Sequence, residues 1–169
     1  MKNDFAYINA LQGLVIFLMD KHELCANIAE VTAIIKPEEL NKYFNLYTKG
    51  NKAIKRFGSN FPVIDGNTFF RYETGELTAD SRILLINCGE MIFALYAEKV
   101  LEIITLNRKN GDNFLGFTPV ENESYMKGTI HFEDSSWLFP DFIKISSELQ
   151  SKFTSFTADF NCNPGRLKF

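Results

Sequence analysis

Cysteine and histidine are scarce in this chain. Three cysteines, Cys25, Cys88 and Cys162, and two histidines, His22 and His131, are spread over 169 residues. No C-x-x-C pair occurs, which removes zinc knuckles and dithiol redox motifs from consideration. The odd thiol count and the lack of a signal-peptide pattern lead to the expectation of reduced thiols and a cytoplasmic location. Blocks of basic residues are also missing. The net charge is −3, with acids and bases interspersed, so nothing favours a nucleic-acid backbone. The longest apolar run at the start, Leu14 to Met19, is far short of the roughly 20 residues of a membrane-spanning helix, and no direct membrane insertion is expected. G-x-G-x-x-G, Walker and G-x-S-x-G patterns are all absent, which leaves phosphate cradling and serine-nucleophile chemistry without support.

The few chemistry-bearing residues fit ordinary structural roles. His22 falls on a predicted hairpin turn, exposed and inert. His131 sits in a strand with Glu133 on the same side by alternation, but no third ligand accompanies them. Cys25 and Cys88 lie in apolar strand or turn context and read as core thiols. Glu73, Glu76 and Asp80 read as a solvated linker. The expectation is therefore no catalytic residue, no metal, no cofactor and no enzyme activity.

What the chain does contain is apolar and aromatic residues, 46% and 14% of the sequence, enough for a real core. Their pattern is that of strands. GLVIFLM reads as a buried strand, Asp20-Lys21-His22 as a turn, and Glu23 to Ala26 as the returning strand. Asn27 to Glu30 reads as one helical turn capped by Asn27. Val31 to Ile35 is β-branched and extended. Pro37 with Glu38 and Glu39 suits the start of a short helix. Ala53 to Phe57 and Phe61 to Ile64 read as two strands around Gly58-Ser59-Asn60, or as one strand bent at Gly58. Thr68 to Tyr72 reads as a strand end or a short helix.

The same style then begins again. Arg82 to Asn87 and Met91 to Tyr96 make a second hairpin about Cys88-Gly89-Glu90. IAEVTAII, Ile28 to Ile35, is echoed by AEKVLEII, Ala97 to Ile104, which suggests two related β lobes. Asn107 to Glu123 reads as a loop. Tyr125 to Phe132 and Trp137 to Phe142 form a third hairpin. Ile145, Leu149 and Phe153 are spaced by four and define a short amphipathic helix. The first dozen residues read as a short helix or loose arm, and Thr154 to Phe169 as a loose tail. A β-rich chain without catalytic motifs is most simply a binding module that works through strand edges and apolar grooves.

In this order the features resemble those of the CheW-like domain family, the adaptors of bacterial chemotaxis arrays. GLVIFLMDKHELCANIAEVTAII resembles the family's opening strand pair and its V-x-x-I element. Gly58 with FPVID resembles the R-G-x-x-x-P-V-x-D signature. SRILLINCGEMIFALYAEKVLEII resembles the start of the second lobe, with Ala94 and Ala97-Glu98 in place of a small residue and Val-Asp. Tyr125 to Gly128 and Phe139-Pro140-Asp141-Phe142 resemble the closing elements. The resemblance covers residues 13 to 149. It implies a mainly β fold of two small SH3-like barrels packed together, with short helices and a C-terminal helix. The first lobe is expected at about 26–80 and the second at about 81–130, with terminal strands completing the barrels and arms at 1–12 and 150–169. It further implies a non-enzymatic adaptor between the cytoplasmic tip of a chemoreceptor and the regulatory domain of a CheA-type histidine kinase, in chemotaxis or a related pathway such as pilus motility.

Candidate partner-binding residues follow from the family's surfaces: Val31, Ala33, Ile34, Lys52, Lys55, Arg56, Phe57, Gly58, Asn60 and Phe61. Three of them depart from the family pattern. Phe57 holds the signature's arginine position, with Arg56 one place earlier. Lys52 replaces a glycine, and Ala33 replaces the acid of the V-x-E-I element. Val31, Ile34 and Phe61 are equally read as core. Two alternatives stay open: a divergent relative that binds a different protein, and a small-ligand or enzyme use of the barrel scaffold.

Overall fold

A computed structural model gives the fold and describes residues 2–36, 53–56, 59–64, 66–73, 75–89, 91–107, 115–121 and 125–153. Among these, three helices, α1 (Lys2–Ala10), α2 (Gly66–Phe70) and α3 (Phe142–Phe153), accompany the strands. The strands are β1 (Gly13–Met19), β2 (His22–Asn27), β3 (Val31–Ile35), β4 (Ala53–Arg56), β5 (Ser59–Ile64), β6 (Arg82–Asn87), β7 (Ile92–Ala97), β8 (Lys99–Thr105), β9 (Gly116–Pro119), β10 (Met126–Phe132) and β11 (Ser135–Pro140). They form two sheets, one ordered β8-β1-β2-β11-β10-β9 and the other β3-β6-β7-β5-β4. The protein is mainly β, as the sequence implied.

Alternation explains why the central strands are apolar throughout. On β1, Leu14 and Ile16 join the core of the first sheet with Cys25, Ile130, Trp137 and Phe139. Phe17 and Met19 point the other way, into a core shared by both sheets. On β6, Leu84 and Ile86 enter that shared core, while Ile83 and Leu85 line the second sheet's own core with Ile35, Ile54 and Phe61. β7 divides in the same manner: Phe93 and Leu95 face the shared core, and Ile92, Ala94 and Tyr96 the other. Strands buried on both faces lose the polar half of the usual pattern and become continuous apolar runs.

The turns follow their chemistry. Asp20 and Lys21 both take positive φ, 46° and 62°, the two-residue turn whose twist suits a hairpin. Asn27 accepts a hydrogen bond from the Ala29 amide at 3.0 Å, so Asn27 caps a single turn rather than a helix. α3 is capped by Asp141, whose Oδ1 accepts from the Lys144 amide at 3.1 Å, and it seats Phe142, Ile145 and Leu149 in the shared core.

The two sheets are built alike. In each, a hairpin (β1–β2 or β6–β7) sends the following strand across to the other sheet. β3 pairs with β6, and β8 pairs with β1. Both pairings carry a bulge immediately after the repeated valine: Thr32 between Val31 and Ala33, and Leu101 between Val100 and Glu102. A parallel contact then closes each hairpin, β2 to β11 and β7 to β5. The weak echo of IAEVTAII in AEKVLEII thus marks equivalent strands.

The structure adds to the sequence reading in three places. β6 and β7 bury Ile83, Leu85, Ile92 and Tyr96 with Ile35, Ile54 and Phe61. The second sheet therefore draws on strands from 31 to 97, and the first on strands from 13 to 27 and 99 to 140. The segment read as a loop at 107–123 holds β9, which pairs with β10 from Gly116↔His131 to Pro119↔Gly128. The choice between one bent strand and two near Gly58 falls to two: β4 and β5 pair antiparallel, Ala53 opposite Pro62. Pro62 precedes the two residues that pair with β7, Val63 and Ile64, so its missing N–H falls outside that ladder. The short helix expected at Pro37 and the tail 154–169 lie outside the described residues.

Candidate partner-docking edges

Among the described residues β3 is the last strand of its sheet, hydrogen-bonded to β6 on one side only. Val31, Thr32, Ala33 and Ile34 are half-buried, and Ile35 is buried. Val31 and Ile34 pack on the shared core, and Ala33 on the second sheet's core. Their side chains brace the strand while its outer backbone edge has no strand partner among the described residues. Such an edge offers a row of donors and acceptors to a pairing chain.

The remaining sequence candidates do not gather at β3. Lys55 and Arg56 lie on β4, Asn60 on β5, with Lys55 opposite Asn60 and Arg56 opposite Ser59. β4 ends the opposite side of the same sheet. Phe61 is 2% exposed and packs with Ile54 and Ile83, in keeping with the core reading of this residue rather than an exposed contact. Lys52, Phe57 and Gly58 lie outside the described residues.

Sequence reasoning missed a second edge. β8 ends the first sheet, and Leu101 and Ile103 stand 41% and 52% exposed on it. Its equivalence to β3 was written in the repeated octapeptide. Glu102, exposed on β8, occupies the position that Ala33 holds on β3.

The histidines and thiols have structural surroundings. His131 hydrogen-bonds to Thr118 Oγ1 through Nε2 and to Ser136 Oγ through Nδ1, both at 2.8 Å, while Glu133 sits in the following turn with φ 53°. His22 is exposed but engaged: its ring stacks on Tyr72 at 4.2 Å, and Nδ1 meets the Asp20 carbonyl at 2.6 Å. Cys25 is fully buried, and burial pushes its thiol well above the ordinary range. Among the described residues no three His, Cys, Asp or Glu side chains come together in a way that could hold a metal ion.

Two sheets, each closed by a strand from the other repeat and sharing one core, are the architecture of a CheW-like domain. The family model for that domain matches residues 13–150, and the chain belongs to the CheW-like family. Among solved structures it is similar to the scaffolding protein TtCheW from Thermoanaerobacter tengcongensis, at 18% identity and a TM-score of 0.56, covering 77% of this chain and 84% of that one. No curated protein matches it. No helix among the described residues is long and apolar enough to cross a membrane.

Proposed function

We propose that this protein is a non-catalytic adaptor of a chemosensory system, joining the regulatory domain of a CheA-type histidine kinase to the cytoplasmic tip of a chemoreceptor. The observation that carries this reading is the β3 edge, braced by the V-x-x-I side chains and without a strand partner on its outer side among the described residues, in a chain of the CheW-like family. Pairing there would draw affinity from backbone hydrogen bonds and selectivity from alternate side chains. The strands around Lys55, Arg56 and Asn60 supply a second contact at the other end of the sheet. Binding of the purified protein to both partners, measured by calorimetry, tests the reading. Failure to bind either, with the protein folded, overturns it.

A second reading is a relative whose partner has changed. Ala33 favours it, because the equivalent position on β8 carries an acid, Glu102, while β3 carries none there. The double variant Ala33→Glu, Phe57→Arg separates the two. Improved kinase or receptor binding means the usual pairing has weakened by drift; no gain means a different partner.

A further inference from the structure

The helix α1 lies wholly before residue 13, where the CheW-like match begins. A helix of nine residues does not hold its shape alone in water, so its contacts keep it in place. Ile8 and Leu11 are each 2% exposed and belong to the first sheet's core with Trp137 and Phe139. Tyr7 makes further contacts. Its ring stacks on Phe139 with centroids 6.1 Å apart, and Lys127 Nζ stands 4.7 Å from the ring centre. Its hydroxyl donates to Glu30 Oε1 at 2.7 Å and accepts from Asn27 Nδ2 at 3.1 Å.

Glu30 is the residue at which the chain leaves the first sheet for the second. Its amide donates to the Asn27 carbonyl at 2.9 Å, and its own carbonyl accepts from the Asn87 amide at 2.8 Å. One residue therefore ties the end of β2, the end of β6 and the helix α1 together, and the next residue is Val31, the first of β3. Lys127 from β10 and Asp141 after β11 also act on the Glu30 carboxyl, and Cys88 after β6 on the Tyr7 hydroxyl.

We propose that α1 is a releasable clamp on this crossover, and that its seating by Tyr7 sets the order of the β3 edge. With Tyr7 in place, Glu30 is fixed from its side chain and its backbone, and β3 leaves the crossover in one direction. With α1 released, the first anchor is gone and the Asn27–Glu30 turn loosens together with β3. The helix is a regulator of the edge without being part of it. Only the consequence for partner binding rests on the adaptor reading.

Hydrogen exchange on the full chain tests the clamp without any partner. Tyr7→Phe keeps the ring and deletes the hydroxyl. It is expected to speed exchange roughly ten-fold or more, the scale of losing a hydrogen bond to a carboxylate, both in α1 and at residues 28–35, while β10 and β11 stay as they were. Glu30→Gln keeps an acceptor for the phenol and is expected to stay close to the unmodified protein. Faster exchange in α1 alone, or equal acceleration in β10 and β11, overturns the coupling. A kinase regulatory domain then reads the consequence: weaker binding by Tyr7→Phe supports regulation, and equal binding overturns it. If the unmodified protein binds neither partner while the coupled exchange persists, the adaptor reading fails and the clamp stands.

Discussion

At the scale of the residue, Glu30 shows how burial becomes pH dependence. Desolvation is the largest influence on its carboxyl and raises it above the ordinary range; the Tyr7 hydrogen bond and Lys127 pull the other way without cancelling it. The folded protein therefore binds this proton more tightly than the unfolded chain does. Its contribution favours the folded state below the ordinary carboxylate value of about 4.3 and is lost as pH rises through the raised folded value. Urea titrations across that window are expected to show stability falling with pH in the native protein, with a flatter curve in Glu30→Gln. A native curve whose slope is unchanged by Glu30→Gln removes the assignment. Cys25 makes a second residue-level case. Buried in an apolar core and held as a neutral thiol, it is expected to resist alkylation until the protein unfolds. Cys25→Ser should cost about 1–3 kcal/mol through an unsatisfied hydroxyl, and more than Cys25→Ala if polarity rather than volume governs the site.

At the scale of the element, α3 divides into faces that can be told apart by mutation. Ile145 and Leu149 are buried at 0% and 3%, while Ile143 is 45% exposed. Ile145→Ala is expected to cost about 2–5 kcal/mol, and Ile143→Ala within about 0.5 kcal/mol of nothing. Asp141→Ala removes the cap on the Lys144 amide and should cost about 1 kcal/mol. Thermal or urea unfolding of the three variants checks the order. The four-residue spacing of α3 made it legible in the sequence, as did the three hairpins, whose turn residues and β-branched runs are local signals. β9 was not legible: Gly-Phe-Thr-Pro is short and carries a glycine and a proline, and only its pairing with β10 makes it a strand. Phe61 was ambiguous for a related reason. Alternation says that a side chain faces one side of a sheet, not whether that side is core or partner. Tyr7 and Glu30 were missed because the contact spans 23 positions and no local pattern announces it.

At the scale of the whole molecule, the exchanged strands carry a consequence for folding. Periodicity reports which face a side chain takes, while the choice of sheet is set by non-local burial. The choice made here ties the lobes together. β3 reaches the second sheet only after β1 and β2 have been laid in the first, and β8 returns to the first only after β6 and β7 have been laid in the second. Between them lies a core to which β1, β2, β6, β7 and α3 all contribute. Neither sheet can be removed without stripping an edge strand and half of that core from the other, so the described body is expected to unfold in one cooperative transition. Phe93, fully buried in the shared core beside Phe142 at 5.8 Å, is the discriminating position. Phe93→Ala should cost about 3–5 kcal/mol and speed the slowest-exchanging amides of both sheets together. Ile54→Ala, in the core of the second sheet alone, should also lower the single midpoint for both sheets, because the exchanged strands carry the loss across. Two separable transitions in either variant, with the first sheet still protected while the second opens, would show that the lobes fold independently and that the exchange of β3 and β8 is a matter of topology alone.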